Sequence, residues 1–403
     1  MTKKICIVTN LHLSSNPRVW KEANSLADKG YQVVILTVWT SAKKKREDQL
    51  YIRNKAVKYK APINLIKGEA RSFDRFVIRF KSRVAREAKK TLNLEFEEGV
   101  GYGIGKMLKA AVAEKADLYI AHTEYGMVVG NKLLKMGYNV AYDIEDWYSR
   151  DYLVAERMVD LLTENEKYAL NNGKFIACPS YAMGDALQKA YDSPSIEVVY
   201  NGFSKKENTN QEIRKKVKAD SLVWFSQTIG ADRGIETVIQ ALEIIQDKSL
   251  ELHLIGAAVV GYEETLKEKF PFHLGHKLFI HPPVVHFDLI GQLAKYEIGL
   301  AIENNFPENR NVTVSNKTLQ YLQAGLKVLT TATEGQKEVA KSFPESMVIV
   351  PIGEPKIWAE VIRGLISTPP VSLDKQMDTF NELYSWEAQE KKLFQLVENA
   401  TRS

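Results

Sequence analysis

Short continuous apolar runs, each separated by a segment with helical periodicity, recur along this chain. The first run is Ile5-Cys6-Ile7-Val8 and the next is Val33-Val34-Ile35-Leu36. Between them, Pro17 fits the first position of a helix that has Asn16 as its cap. Strands without alternating polarity, joined through a helix, predict a βαβ unit in a parallel sheet covered by helices.

Two classes of ligand are disfavoured by the sequence. The first predicted turn, residues 9–16, contains no glycine, so the G-x-G-x-x-G dinucleotide fingerprint is absent. The formal net charge of +5, from 55 basic and 50 acidic residues, is too small to predict nucleic-acid binding. We therefore expect neither a nicotinamide cofactor nor a nucleic-acid partner.

The two cysteines and the lengths of the apolar runs indicate a cytoplasmic protein. Cys6 and Cys178 lie in strand-like apolar runs without a pairing pattern, so we predict buried free thiols in a reducing compartment. The first apolar run is too short for a signal peptide, and no stretch approaches the roughly 20 apolar residues of a membrane span.

A second series of strands and helices follows a polar, charged stretch at residues 203–219. The predicted strands of this series are Leu222–Phe225, Leu250–Ile255, Leu278–His281 and Ile298–Ile302. We predict an α/β protein with two doubly wound Rossmann-like domains, residues 1–200 and 201–375, that face each other across a crevice. Residues 376–403 form a final segment with Trp386 and Phe394 on a predicted helix.

Two loops of the second half have the features of a diphosphate site. Ser315 and Asn316 favour a helix start, Lys317 adds a cation, and Gly325 ends the predicted helix. Unpaired N–H groups in a first helical turn bind anions. The other loop, residues 226–234, places Arg233 beside a second predicted helix start. A solvated surface arginine is the alternative interpretation of Arg233.

Polar residues also end two predicted strands of the first half. His122 ends the run from Asp117, and Asp146 ends the run from Asn139. Because ligands of open parallel sheets bind beyond the carboxyl ends of the strands, both residues are candidates for the site. The alternative for His122 is a hydrogen-bonded structural role.

Residues 69–92 predict a basic amphipathic helix. Phe73, Phe76, Val77, Phe80 and Val84 recur at three- and four-residue spacing, with lysines and arginines around them. Such a helix can lie on an anionic membrane, here through residues 71–90. The alternative is a surface helix with its phenylalanines in the protein core.

Several motifs together resemble the GT-B fold glycosyltransferases, most closely the retaining family 4. They cover nearly the whole chain and occur in the family's order: Asn16-Pro17-Arg18-Val19, Ala121-His122, Tyr142-Asp143, Glu166, Ser180, Tyr200-Asn201-Gly202, Arg233-Gly234-Ile235-Glu236, Ser315-Asn316-Lys317, Tyr321-Leu322-Gln323-Ala324-Gly325 and Tyr384-Ser385-Trp386-Glu387. The resemblance implies transfer of a sugar from a nucleotide diphosphate sugar to an acceptor hydroxyl, with retention of configuration. It also implies that the last helix returns to the first domain.

The resemblance assigns roles to individual residues. It implies that Arg233 and His122 are the catalytic residues, with Arg233 on the diphosphate and His122 near the transferred sugar. The remaining implied contacts are Gln227, Gly230, Ser315, Asn316, Lys317 and Gln320 on the donor side, and Asn16, Arg18 and Asp146 on the acceptor side. No metal and no further cofactor are implied, because cations and helix ends stabilise the leaving diphosphate.

Three positions depart from the family pattern. Val312 and Gln320 stand where the family has paired glutamates, and Gln227 replaces the first basic diphosphate contact. An uncharged acceptor makes weaker hydrogen bonds than a carboxylate, and Glu303 is a candidate replacement. A catalytically silent sugar-nucleotide-binding or partner protein is therefore the alternative function. A sugar-nucleotide 2-epimerase is a further one, with His286 and Glu303 as its candidate groups.

The basic helix adds an expectation about partners. It indicates a glycan or lipid-linked acceptor in bacterial surface polysaccharide or glycolipid assembly, reached by peripheral contact with the inner face of the cell membrane. The sequence leaves open the base and sugar of the donor, the acceptor, the linkage and the oligomeric state.

Overall fold

The computed structural model describes residues 2–152, 154–207, 218, 220–231, 233–247, 249–270, 277–369 and 371–402. The chain divides into two compact units. The first unit comprises Met1–Val199, Pro307–Asn309 and Glu390–Ser403, and the second comprises Tyr200–Phe306 and Arg310–Gln389.

The first unit is built on a parallel sheet with seven described strands in the order β3-β2-β1-β4-β5-β6-β7. Its strands are β1 Lys4–Val8, β2 Gln32–Trp39, β3 Val57–Asn64, β4 Leu118–His122, β5 Val140–Asp143, β6 Ile176–Cys178 and β7 Glu197–Val198. The order reverses between β1 and β4, which makes the sheet doubly wound. β1 is buried on both faces because its central position leaves no side to solvent.

Helices connect these strands. They are α1 Pro17–Asp28, α2 Ala42–Asp48, α3 Ser72–Leu92, α4 Glu97–Val100, α5 Ile104–Glu114, α6 Thr123–Lys135, α7 Val159–Asn172 and α8 Tyr181–Tyr191. Asn16 caps α1 as predicted, since its side chain accepts a hydrogen bond from the Val19 amide at 3.3 Å.

The second unit is a six-stranded parallel sheet among the described residues, in the order β10-β9-β8-β11-β12-β13. Its strands are β8 Ser221–Ile229, β9 Glu251–Ala258, β10 Leu278–His281, β11 Ile298–Ala301, β12 Lys327–Thr331 and β13 Met347–Val350. Its helices are α9 Ile235–Ile245, α10 Tyr262–Lys269, α11 His286–Leu293, α12 Glu308–Val312, α13 Asn316–Gln323, α14 Glu334–Ala340, α15 Pro355–Ser367, α16 Leu373–Leu383 and α17 Trp386–Arg402.

Each unit has its own apolar core. In the second, β8, β9 and β11 pack with α9 and α15 around the buried rings of Trp224 and Trp358. The sheet order reverses at β8 and β11, so the carboxyl ends of these two neighbouring strands form that unit's switch point.

Most predicted elements are present, with shifted ends. The run predicted to end at Asp146 forms a strand only to Asp143. Residues 208–217 and 219 of the polar stretch 203–219 lie outside the described part of the chain. Trp386 and Phe394 lie on α17, as predicted.

The last part of α17 belongs to the first unit. The Ser25 hydroxyl donates to Glu390 at 2.7 Å, and the Lys392 ammonium donates to the carbonyl of Val198 at 3.0 Å. Both cysteines are buried free thiols, as predicted. Among the described residues, no helix combines the length and apolar character needed to cross a membrane.

Candidate functional site

Glu303 is held at the switch point of the second unit. It lies just beyond the carboxyl end of β11, where the Thr331 hydroxyl of the neighbouring β12 binds its backbone twice. The amide of Glu303 donates to Thr331 Oγ1 at 2.8 Å, and that hydroxyl donates to the carbonyl of Glu303 at 2.6 Å. These two bonds fix where the Glu303 side chain leaves the sheet.

Ser315 and Lys317 converge on that side chain. The Ser315 hydroxyl and the Lys317 ammonium each donate to Oε1 of Glu303 at 2.9 Å. The Lys317 ammonium also lies 6.0 Å from the centre of the Trp224 ring on β8. Both charged side chains keep about a fifth of their surface exposed, so the pair is open to a ligand from solvent.

The start of α13 retains anion-binding capacity. Ser315 is its N-cap residue, but the Ser315 side chain makes no capping hydrogen bond and is turned to Glu303 instead. First-turn N–H groups have no partner inside a helix, and here the cap side chain supplies none. The predicted phosphate site thus has its helix start and its lysine, together with a carboxylate.

A glycine shapes the loop before α13. A Cβ atom on Gly335 of α14 would lie 2.3 Å from the carbonyl oxygen of Thr313 and 2.9 Å from the amide of Val314. Only a glycine lets the two backbones approach this closely. Gly335 therefore sets the path of the chain into Ser315.

The second predicted loop runs beside the first. Gly234, the N-cap residue of α9, has φ +77, and a Cβ atom there would lie 2.3 Å from the Ile302 side chain. Ile302 precedes Glu303, so this contact brings the Arg233-Gly234 turn next to the Glu303 cluster. The Arg233 side chain itself is exposed.

The other predicted donor residues lie on the same two segments. Gln227 is exposed near the end of β8, and Gly230 follows that strand. Asn316 is exposed and accepts a hydrogen bond from Asn201 at 3.0 Å. Gln320 and Val312 are both buried.

In the first unit, His122 lies inside a buried polar network. Its Nε2 atom is 3.0 Å from Oε2 of Glu22, and its Nδ1 atom is 2.9 Å from Oε1 of Glu145. The ring has no exposed surface. Burial opposes the imidazolium, but Glu22, Glu145 and Asp143 outweigh burial and raise the His122 pKa well above its usual value.

Arg18 joins this network from α1. Its Nε donates to Asp143 at 2.6 Å and its Nη1 donates to the carbonyl of Val199 at 2.6 Å. Both side chains are almost fully buried. Burial works against the Asp143 charge, yet the Arg18 guanidinium and His122 hold the pKa of that carboxyl below its usual range.

Glu22 completes the network as a buried carboxyl with a raised pKa. Burial, followed by the charge of Asp143, raises the Glu22 pKa to about 7. Among the described residues, Oε1 of Glu22 and Oδ1 of Asp143 have no hydrogen-bond donor. A proton on Glu22 can supply that donor.

The same three residues have the spacing of a metal site. Glu22, His122 and Asp143 each offer a ligand atom, and these atoms lie within 4.8 Å of one another. The Arg18 guanidinium, however, sits 2.6 Å from Asp143 and 3.6 Å from Glu22 and brings its own positive charge there. This geometry is that of an ion-pair network around an arginine.

Asn16 and Asp146 lie at the edges of this network. The Asn16 amide donates to both carboxylate oxygens of Glu145, at 2.8 and 3.0 Å.

Asn309 donates to Asp146 at 2.9 Å and accepts from the Trp147 amide at 2.8 Å. Burial, with Asp151 and Glu145 nearby, raises the Asp146 pKa to about 6. Glu145 and Asp146 are only partly buried, whereas Asn16 and Arg18 are enclosed.

Sequence reasoning missed several members of these clusters. Glu22 has a weak signal, because it follows Arg18 by four residues and so faces the same side of α1. Thr331 and Asn309 have no recognisable signal, because their roles depend on contacts with residues far away in the chain. Glu303 was proposed as a substitute carboxylate, and the structure joins it to Ser315 and Lys317.

The exposed face of α3 is apolar. Phe73, Phe76, Phe80 and Val84 are 75%, 63%, 55% and 49% exposed. The rings of Phe76 and Phe80 stack with centres 5.8 Å apart. Ser82 and Ala85 are the buried residues of this helix, so the interpretation that puts the phenylalanines in the core is wrong.

Comparisons with known proteins identify the fold. No protein-family model and no curated protein matches the sequence. Several solved structures are similar to this chain. HepE from Anabaena, in complex with UDP-glucose, is 13% identical with a TM-score of 0.66, and the alignment covers 98% of this chain and 99% of HepE. A glycosyltransferase from Rickettsia africae is 13% identical with a TM-score of 0.65 over both full chains.

A third similar structure is a protein of a different chemical class. A putative UDP-N-acetylglucosamine 2-epimerase from Listeria monocytogenes is 11% identical, with a TM-score of 0.59 over 98% of this chain and 95% of its own. Together with the two parallel sheets, these similarities confirm the predicted α/β, two-domain GT-B fold. At such identities they define the fold alone.

Proposed function

We propose that this chain is a retaining glycosyltransferase that moves a sugar from a nucleotide diphosphate sugar to an acceptor hydroxyl. The observation that carries the proposal is the cluster at the start of α13, where Ser315 and Lys317 meet Glu303 beside uncapped N–H groups. Cations and helix N-termini stabilise the charge that grows on a leaving diphosphate. The shared fold with HepE, crystallised with UDP-glucose, supports a uridine diphosphate sugar as donor.

Each donor-side residue has a distinct role in this proposal. Lys317 and Arg233 contact the diphosphate, while Ser315 and Asn316 bind the phosphates and the transferred sugar. Gly230 lets the loop approach the donor, the Gln227 side-chain amide donates to the diphosphate, and the Gln320 carbonyl accepts hydrogen bonds from the ribose hydroxyl groups. With two cations and a helix end present, the reaction requires no metal and no cofactor beyond the donor itself.

The first unit supplies the acceptor side. Because the His122 ring contacts carboxylates on both nitrogens, we assign it a positioning role: it holds Glu145, which Asn16 also binds. Arg18 anchors the same strand end through Asp143. Glu145 and Asp146, the partly exposed carboxyls, are the groups within reach of an acceptor.

A lipid-linked acceptor is consistent with the surface of α3. Its exposed phenylalanines lie among the cations of residues 71–90, the arrangement that binds anionic membrane surfaces. We propose peripheral contact with the inner face of the cell membrane, and a role in bacterial surface polysaccharide or glycolipid assembly.

The test is a thermal-shift panel with UDP-, GDP-, ADP- and CMP-sugars, followed by donor hydrolysis and transfer assays. A ligand at about 100 times its Kd adds about 2.7 kcal/mol to the free energy of unfolding. We expect a shift with a UDP-sugar that is lost in Arg233→Ala and kept in the exposed-lysine control Lys341→Ala. No shift with any nucleotide sugar would contradict the proposal.

A silent sugar-nucleotide-binding or partner protein is the second candidate. Its support is the uncharged Gln227 and Gln320, the buried Val312, and the Lys317 ammonium already paired with Glu303. Donor binding without hydrolysis or transfer would favour it. The epimerase alternative shares the fold, and of its two candidate groups the side chain of His286 lies outside the described part of the structure, while Glu303 is paired with Lys317.

A further inference from the structure

A pocket of about 390 Å³ lies within the first unit between α3 and the segment that leads into α7. Its volume falls within the range of small-molecule sites. The residues that decide its chemistry fall into an apolar set, Val100, Tyr102, Val154, Met158 and Leu162, and a charged set, Arg79, Arg83, Arg86, Glu87, Glu124, Glu156 and Arg157.

The apolar part of the lining is preformed. Met158 and Leu162 are at most 2% exposed, and Val100 is 7% exposed. Gly99 lies so close to Met158 that a Cβ atom would meet the Met158 Cε at 1.9 Å. The Arg86 guanidinium lies over the Tyr102 ring, 6.0 Å from the ring centre. These surfaces suit an apolar chain or a flat ring.

A row of arginines borders the pocket on one side of α3. Arg79, Arg83 and Arg86 recur at four- and three-residue spacing, so they share one flank of the helix about one turn apart. All three are exposed. Among the described residues, none of them has a carboxylate within ion-pair distance; Arg79 and Arg86 make only long bonds, at 3.5 and 3.4 Å, to backbone carbonyls.

Two of the three carboxylates in the lining are already matched by cations. Arg157 lies 2.6 Å from Glu124, and Lys90 lies 3.9 Å from Glu156. Glu87 remains against the three arginines, so the mouth of the pocket carries an excess of positive charge. In addition, the buried Nε of Arg157 has no hydrogen-bond partner among the described residues.

We propose that this pocket binds a diphosphate group attached to an apolar chain, with the arginine row on the diphosphate and the apolar lining on the first part of the chain. Guanidinium groups bind phosphate oxygens in a bidentate manner, and each helical turn of about 5.4 Å presents one more fork. The exposed phenylalanine stripe lies on the same helix as the arginine row. This inference rests on the proposed function, in which such a molecule is the acceptor.

Binding of farnesyl diphosphate, a short soluble probe, tests the inference by titration calorimetry on the full chain. The wild-type protein is expected to bind it, and Arg79→Gln/Arg83→Gln/Arg86→Gln to bind it at least about tenfold more weakly, because this variant loses the charge-assisted bonds from three guanidinium groups to the phosphate oxygens. Val154→Trp, which fills the pocket without changing its charge, is expected to have the same effect. Lys43→Gln/Lys341→Gln/Lys356→Gln removes three exposed charges elsewhere and is the control.

Three results distinguish a diphosphate site in this pocket from a site for membrane headgroups and from the nucleotide-sugar site. Equal binding by wild type and the arginine variant, or full binding by Val154→Trp, would overturn the inference. So would an effect of the arginines only on vesicles with phosphatidylglycerol, because a membrane headgroup would then be their ligand. Circular dichroism of each variant establishes that it is folded. Nucleotide-sugar binding is measured in parallel and depends on the second unit, so its failure would be a separate result.

Discussion

The ammonium nitrogen of Lys317 lies 2.9 Å from the carboxylate oxygen of Glu303 that also accepts the Ser315 hydroxyl. In the free protein, the lysine that the sequence assigns to the donor phosphates thus has a carboxylate partner. A diphosphate must compete with Glu303 for Lys317, or bind beside the pair. The carboxylate holds the cation in position and also weakens its field, and these effects are separable by mutation.

Replacement of Lys317 is the direct test of the donor cluster. We expect Lys317→Met to weaken binding of a UDP-sugar at least about tenfold, because a charge-assisted phosphate contact contributes about 1.5–3 kcal/mol. Lys317→Arg is expected to retain part of the affinity. Titration calorimetry measures both, and Lys337→Met, which breaks a similar 2.8 Å pair with Glu334 on the surface, is the control. Unchanged affinity in Lys317→Met would remove this residue from the site.

Gly335 is expected to couple backbone packing to the same cluster. Gly335→Ala puts a methyl group 2.3 Å from the Thr313 carbonyl oxygen, and overpacking of this kind costs about 1–3 kcal/mol. Denaturant unfolding is expected to show that loss, together with weaker donor binding as the chain before Ser315 shifts. Gly364→Ala, on the helix α15 with no atom within 4 Å of its Cβ, is the control and should be neutral or stabilising. Equal stability and equal donor binding of the two variants would show that the loop around Thr313 shifts to accommodate the methyl group without loss.

His122 should be charged at neutral pH. Its pKa is raised, so its contribution to stability is present in full below its unfolded pKa and is lost as pH rises through the folded value. We expect NMR of the ring protons to show the imidazolium form well above pH 6.5. Removing one partner of a buried ion pair costs about 3–5 kcal/mol, so His122→Gln should be destabilised at pH 6 and less so at high pH. A ring that titrates in its usual range would contradict the network.

Asp146 gives a pH effect of the same sign as His122, in a lower pH range. Its pKa is raised to about 6, so the folded protein holds a proton there that the unfolded chain has lost, and stability falls as pH rises from about 4 to 6. Because the side chain is partly exposed, we expect a loss of only about 1–2 kcal/mol. Asp146→Asn keeps the oxygen that accepts from Asn309 and should remove this part of the slope. Denaturant unfolding of both proteins at several pH values measures this slope. If the free energy of unfolding changed equally with pH in wild type and in Asp146→Asn, the raised pKa of Asp146 would be contradicted.

The apolar stripe of α3 predicts membrane affinity. Phe73→Ser/Phe76→Ser/Phe80→Ser should reduce sedimentation with vesicles containing phosphatidylglycerol at least about tenfold, since each buried phenylalanine contributes about 1.5–3 kcal/mol. High salt should weaken what remains, because the flanking cations act through screened charge. Leu50→Ser/Met136→Ser/Ile244→Ser alters three other exposed apolar residues and is the control. Equal sedimentation of the two triple variants would mean that α3 does not contact the membrane.

Much of the fold could be predicted from the sequence, because strands and helix starts depend on local patterns. Apolar runs predicted β1, β2, β4 and four strands of the second unit, β8 to β11, and Asn16-Pro17 predicted the start of α1. The end of β5 was misjudged by three residues, since Ile144 is buried while it no longer pairs as a strand residue. The buried segment therefore continues beyond the last residue that pairs with a neighbouring strand. An apolar sequence pattern predicts which residues are buried, but it does not show where strand pairing ends.

The sequence by itself determined the two α/β series, the buried cysteines, the amphipathic character of α3 and the residues that end the strands. Only the tertiary structure decided which side of α3 is exposed, because periodicity fixes the angle between side chains and not what covers them. It also decided that His122 is enclosed between Glu22 and Glu145, and that Glu303 meets Lys317. Those partners come from separate elements of the sheets, and a contact between distant elements leaves no periodic trace in the chain.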